Sequence, residues 1–182
     1  DLVKRLYEVE KVNQRLALIE QLERVEKLKP ARWTSRVQDI QKGTKYPYQY
    51  LLLLSLCIAA EAANERMLTG KFSMSDVLPI YSRLLLELPS EFINLRLKRD
   101  EIAQPISRLA KSGFWTCFTT ENLEIDFSTE SRVNSAKYLP QLERKGFSYC
   151  KLDTKLKDVL LDSENRKVLV AFLSTKIRDC LP

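Results

Sequence analysis

Leu2, Leu6, Val9, Val12, Leu16, Ile19, Leu22, Val25 and Leu28 recur at steps of three and four residues, with Glu, Lys and Arg between them. That spacing predicts one long amphipathic helix over 1–29, stopped by Pro30. A helix packed along the core is the simpler reading of this stripe; a coiled-coil arm is the other, although the heptad register is not clean. The pattern then changes. From Leu51 to Ala63 the only charge is Glu61, and Ala59, Ala60, Ala62 and Ala63 let neighbours pack close. A helix apolar on nearly every face belongs in the centre of a core, so the stretch Lys42–Gly70 predicts a central pillar reaching about Asn64. Its entry, KGTKYPYQY, is basic and aromatic. Free backbone N–H groups at a helix start attract anions, which makes Lys42, Lys45, Tyr46 and Tyr48 candidates for a phosphate-facing rim.

Ala31–Thr44 is expected to form a short helix and then the loop into the pillar. Ser73 or Ser75 can cap a following helix that carries Val77, Leu78, Ile80, Tyr81, Leu84, Leu85, Leu86 and Leu88, with Pro79 in its first turn and Pro89 as its stop. Pro105 opens another short helix, PISRLAKSG. Phe114–Thr119 and Leu123–Phe127 flank Thr120–Asn122 and predict a β-hairpin. The stretch 132–144 is polar with a helical core around Tyr138 and Leu139, and Lys145–Phe147 reads as a turn. Helices around Lys155–Leu160 and from Glu164 to about Asp179 close the chain. The fold class expected is mainly α with a small β-hairpin: a single compact helical domain over 31–182, hairpin near 114–127, preceded by the long N-terminal helix of residues 1–30.

Composition narrows the chemistry. With 30 Lys and Arg against 24 Asp and Glu, the net charge of +6 favours a polyanionic partner. The chain has no His, which excludes Ser-His-Asp and Cys-His catalysis, His-dependent nuclease chemistry within these residues and every His-containing zinc site. Cys57, Cys117, Cys150 and Cys180 form no CxxC pair, so buried free thiols in a reducing compartment are expected. No secretory signal is legible and no apolar run is long enough to span a bilayer. A cytoplasmic protein with no cofactor and no metal is the expectation.

Basic residues gather at Arg96, Lys98 and Arg99, at Arg108 and Lys111, and at Arg132, Lys137, Arg144 and Lys145. A lone surface lysine or arginine is usually only solvated; a cluster beside aromatic residues, as at Lys42–Tyr50, is a stronger candidate for a phosphate grip. Trp115 and Phe114 read as core.

Three segments occur in a particular order: KYPYQYLLLLSLCIA, then QPISRLAKSGFWTC, then LKDVLLDSENRKVLVAFLSTKIRDCLP. Together, over roughly Trp33 to Pro182, they resemble the N-terminal DNA-recognition domain of bacterial HNH restriction endonucleases, of the DNA sulfur-binding type. Tyr48-Gln49-Tyr50 stands where that family has a basic-Pro pair, and Leu181 where it has an aromatic residue. The resemblance implies a non-catalytic module of a restriction or defence protein that reads a backbone phosphorothioate in double-stranded DNA, with a nuclease module in the same or another chain. It also implies that a proline, here Pro105, helps form an apolar notch for the sulfur, with Tyr138, Phe147 and Tyr149 as candidates to complete it. Sulfur loses little in such a notch, whereas oxygen loses its hydrogen bonds.

Three other readings compete. Asp126 with Glu143-Arg144-Lys145 has the acidic-x-Lys spacing of a metal-dependent nuclease. Ser107–Ser112 ahead of a hairpin has the order of a winged-helix recognition helix and wing. The first helix could serve a coiled-coil protein-interaction subunit, pairing with another protein or as a homodimer.

Overall fold

The computed structural model describes residues 1–29, 31–32, 45–62, 67, 70–88, 101–128 and 136–180. Among these it is mainly helical, with seven α-helices, a small two-stranded antiparallel sheet and a long N-terminal helix. A further short strand pair stands at the entry to the pillar.

Helix α1 (Leu2–Glu26) starts on Asp1, whose carboxylate accepts from the Val3 N–H at 3.1 Å. The simpler expectation, a helix packed along the core, holds in part. Only the last turns are engaged: Gln21 and Val25 are buried, and Ala17, Leu18 and Leu22 are packed against the core. Leu2 is 72% exposed and Leu16 still 58%. Twenty-five residues extend about 37 Å, and α1 lies on the eight-residue helix α6 (Thr154–Leu161), about 12 Å long, and on the closing helix Ser163–Cys180.

Strand β1 (Ala31–Arg32) pairs antiparallel with β2 (Lys45–Tyr46), where the sequence suggested that a short helix begins. The pairing delivers the chain straight into α2 (Tyr48–Ala62), the pillar, in which 12 of 15 residues are buried. It packs against α3 (Leu78–Glu87), α4 (Ala103–Lys111) and α7 (Ser163–Cys180). The Tyr50 hydroxyl donates to the Leu28 carbonyl at 2.9 Å and ties the pillar to the end of α1. A 3-10 turn at Met74–Asp76 leads into α3; there the Ser73 N–H donates to the Asp76 carboxylate at 3.2 Å. Pro79 falls in the first turn of α3, where a missing N–H costs nothing.

Helix α4 ends in a Schellman arrangement. Gly113 N–H donates to the Ala110 carbonyl and Phe114 N–H to the Leu109 carbonyl, each at 3.0 Å, with Gly113 at φ +81°. The chain turns there into β3 (Trp115–Thr119). The partner of β3 is β4 (Phe147–Leu152), antiparallel, with Cys117 opposite Cys150 and an irregularity after Phe118. The hairpin expected near 114–127 is short: around its turn the Thr119 N–H donates to the Leu123 carbonyl at 2.8 Å and the Ile125 N–H to the Cys117 carbonyl at 2.9 Å. Asn122 sits at φ +65°, Phe118 and Glu124 form an isolated bridge, and Leu123–Phe127 forms no strand. Leu123 and Glu124 are exposed while Ile125 and Phe127 pack inward, and β4 sets Cys150 opposite Cys117, Leu152 opposite Trp115 and Phe147 opposite Thr119. Phe72 bridges the far side of Cys150, with N–H to carbonyl distances of 3.0 and 2.8 Å. Helix α5 (Leu139–Arg144) precedes β4, and Gly146, at φ +112°, makes the turn between them.

One cluster of buried residues, from Val25 through α2 to Cys180, joins these elements. All four cysteines are buried, and none is in a disulfide. Among the described residues no helix is long and apolar enough to cross a membrane.

Candidate nucleic-acid interface

Helix α4 carries the best-defined part of the predicted surface. Ala103, Pro105, Ile106, Ser107 and Leu109 are buried, leaving Gln104, Arg108 and Lys111 on the outer side at steps of four and three. Arg108 and Lys111 therefore share one helix face. Their positions in the last turn also place positive charge at the negative end of the helix dipole. Pro105 is the third residue of the helix rather than its first, and its ring is buried. Behind it the Trp115 indole N–H donates to the Ile106 carbonyl at 3.1 Å, fixing α4 to the sheet.

Lys137 is exposed and lies 4.0 Å from Glu101, just ahead of α4, and its ammonium stands 5.6 Å from the centre of the Tyr138 ring. Gln141 accepts from the Lys137 and Tyr138 N–H groups at 2.9 and 3.1 Å, which fixes this entry to α5. Arg144 and Lys145 are exposed at the other end of α5. Glu143, the candidate nuclease carboxylate, lies on this exposed helix and not on a core strand. Asp126 accepts from the Ser128 N–H at 3.0 Å within a local turn. Among the described residues no cluster of three metal-ligating side chains occurs.

The rim of the pillar is different. Tyr48 is only 7% exposed, so its ring belongs to the core and not to a phosphate-facing rim. The first turn of α2 is buried on every side, which is why an aromatic residue there is taken inward. Lys45 and Tyr46 lie in β2, with the backbone alone described. Lys42, Arg96, Lys98, Arg99 and Arg132 fall outside the described residues, as does Trp33.

A second group was not legible in the sequence. On the outer face of the β3–β4 sheet, Phe118 and Tyr149 stack with ring centres 5.0 Å apart and planes 11° from parallel. Lys71 lies 4.5 Å from the Tyr149 ring centre and Lys151 lies 5.6 Å from that of Phe118. Asn122 Oδ1 accepts from the Tyr149 hydroxyl at 2.9 Å and from Lys71 at 3.2 Å. The result is an aromatic platform flanked by two ammonium groups. Phe147–Leu152 reads apolar, polar, apolar, apolar, polar, apolar, and Tyr149 is half-buried two residues after the buried Phe147, so no period-2 pattern marks the platform.

The groove below this sheet suits other chemistry. It holds about 560 Å³ and is lined by Glu124, Asp126 and Asp153 together with Lys111 and Trp115. Asp153 pairs with Arg24, and Glu124 and Asp126 outnumber Lys111, so the groove offers a phosphate backbone no net attraction. The groups whose ionisation is shifted lie in or beside the core: burial pushes the Cys57 thiol up to about 12 and raises Tyr81 and Cys150 as well, while Tyr50 is raised first by burial and then by Cys180 and Asp179.

Fold and surface together define a mainly helical domain built on a buried pillar, with cationic side chains on α4, α5 and a small sheet. A scan of protein-family models finds no match, and no curated protein matches the chain.

Proposed function

We propose that this chain is a non-catalytic, cytoplasmic DNA-binding module of a restriction or defence system, reading double-stranded DNA that carries a backbone phosphorothioate. The reading rests on the three ordered sequence segments, and what supports it is their mutual packing. The loop-helix segment, the Pro-to-Gly-Phe-Trp segment and the closing helix become β2–α2, α4–β3 and α7, with α2 against both α4 and α7. Segments that share a core are expected to act as one unit. Arg108, Lys111, Lys137, Arg144 and Lys145 supply sequence-independent phosphate contacts, and a notch beside Pro105 supplies the preference for sulfur. Because Pro105 is buried, the notch is lined by whatever covers its ring. Cleavage belongs to a partner nuclease module.

A winged-helix reading finds less support. A recognition helix needs a broad exposed face, and α4 offers Gln104, Arg108 and Lys111 alone; the strand that pairs with β3 also arrives from far along the chain.

The test is binding to one duplex with and without a single phosphorothioate, across a salt series. The expected outcome is tighter binding to the modified duplex, with a salt slope that falls by about 1 on Lys111→Ala. Equal affinity for both duplexes removes sulfur recognition and leaves general DNA binding. No binding to either at low salt removes the nucleic-acid reading.

A further inference from the structure

The free half of α1 carries most of the exposed apolar surface among the described residues. Of the twelve large hydrophobic side chains left exposed, eight are Leu2, Val3, Leu6, Tyr7, Val9, Val12, Leu16 and Ile19. An isolated helix of such length is marginal in water, and its apolar stripe continues past the point where the body begins to support it. At about 100° per residue, Val9, Val12, Leu16 and Ile19 line one seam. That seam lies opposite Ala17, Leu18, Gln21 and Val25, which face the body. The seam is therefore open along its length among the described residues, on the side away from the elements that α1 packs on.

We propose that a second copy of this chain covers the seam, with the two α1 helices antiparallel. Charge decides both the occupant and its direction. Arg5 and Glu23 terminate the seam at its two ends, and both are exposed. An antiparallel pair centred between Val12 and Leu16 sets Val12 against Leu16 of the second copy and Val9 against its Ile19. It also sets Arg5 against Glu23 of the second copy, twice by symmetry. A parallel pair would instead oppose Arg5 to Arg5 and Glu23 to Glu23. The one unfavourable neighbour in the antiparallel pair is Arg15, which borders the midpoint beside its own counterpart, on the rim where solvent screens the repulsion. The bodies lie on the outer sides of the paired helices, so they do not obstruct the seam.

The covered patch is narrow. Four apolar layers and two charged ends fall near the low end of specific interfaces, about 1,200 Å² in total. The pair is accordingly a reversible dimer that dissociates on dilution. This inference is independent of DNA binding and is tested without DNA.

The experiment is sedimentation of the intact chain over a concentration series, with circular dichroism to verify that each variant keeps its helix content. The wild type should show a monomer–dimer equilibrium. Arg5→Glu alone and Glu23→Arg alone should each raise the dimer Kd at least about tenfold, because each creates like-charge pairs twice. The combined Arg5→Glu/Glu23→Arg chain should recover to near the parent value. Val12→Glu should abolish pairing. A monomer at every concentration overturns the proposal, as does a dimer indifferent to Val12→Glu. A combined charge-swap variant that stays monomeric overturns the antiparallel arrangement.

Discussion

Arg24→Ala tests how the long first helix is fastened to the domain. Arg24 Nη1 lies 2.9 Å from Asp153 Oδ2, its Nε and Nη2 donate to the Ser112 carbonyl at 3.3 and 3.1 Å, and its guanidinium stands 4.8 Å from the Phe114 ring centre. Beside it Gln21, fully buried, turns its amide oxygen to accept from Arg24 at 2.8 Å and from the Leu156 N–H at 3.2 Å. One side chain thus joins α1 to the α4–β3 corner and to the start of α6. The carboxylate and guanidinium are 29% and 20% exposed, so the ion pair is worth less than a buried one. A charge-assisted hydrogen bond contributes about 1.5–3 kcal/mol where well shielded, and the contact with the ring about 0.5–1 kcal/mol. Against these stands up to about 2 kcal/mol of side-chain entropy that the arginine recovers when free. The substitution should therefore cost about 2 kcal/mol, read as a lower urea midpoint at unchanged slope. In a double-mutant cycle with Asp153→Asn the coupling should be about 1 kcal/mol. Arg24→Lys should keep less than half of the effect, since lysine lacks the fork that reaches Ser112 and Asp153 together. A loss below about 0.5 kcal/mol for Arg24→Ala, with no coupling to Asp153, would refute the fastening role.

Gly113→Ala should destabilise by about 1–2 kcal/mol from its left-handed backbone alone, and by more because the new Cβ would come to 2.5 Å from Arg24 Nη2; its cost should be strongly non-additive with that of Arg24→Ala. Trp115→Phe removes the indole bond to Ile106 and part of the contact with the Phe72 ring, whose centre is 6.2 Å away. A loss of about 2–3 kcal/mol in the same urea assay is expected. Alkaline pH should also unfold the protein. Cys57 ionises near 9 when unfolded and near 12 in the fold, so the folded state holds the extra proton between those values. Its stability contribution is complete below pH 9 and is lost as pH rises toward 12, by at most about 1.4 kcal/mol per unit. Tyr81 and Cys150 are raised too and act with the same sign; Cys57→Ala should make the stability–pH curve shallower.

Periodicity made the helices legible. The pillar, the Pro79 boundary and the closing helix all come from local patterns, and the structure places them within a few residues of expectation. What local pattern cannot supply is the partner of an element. The stripe on α1 predicts an apolar face but not what covers it; that depends on where α6 and α7 lie, set more than a hundred residues later. Strand β4 was missed for a related reason. Lys145-Gly146-Phe147 has turn chemistry, and Gly146 does turn, yet the strand begins at once after it and pairs with a segment some thirty residues earlier. The nearer candidate, Leu123–Phe127, looked better because a hairpin needs little loop closure. In the structure β4 takes one edge of β3 and Leu123–Ile125 keeps a single bridge on the other, so the two do not exclude each other.

The same missed strand bears on the candidate interface. Motif identity points to residue types, but exposure follows from the register. Tyr48 belongs to the basic-aromatic loop in sequence and to the core in space. Tyr149, named only for a notch, stands instead on the outer sheet face with Phe118, Lys71 and Lys151. If phosphates approach this face, Lys71 and Lys151 contribute charge while the stacked rings offer a flat apolar surface. Lys71→Ala and Lys151→Ala should then weaken modified and unmodified duplexes alike and flatten the salt dependence, each by about one counterion. Loss of affinity without any change in salt slope would assign the lysines to holding the rings in place. No change in either would remove the sheet from the interface and leave α4 and α5 as its cationic surface.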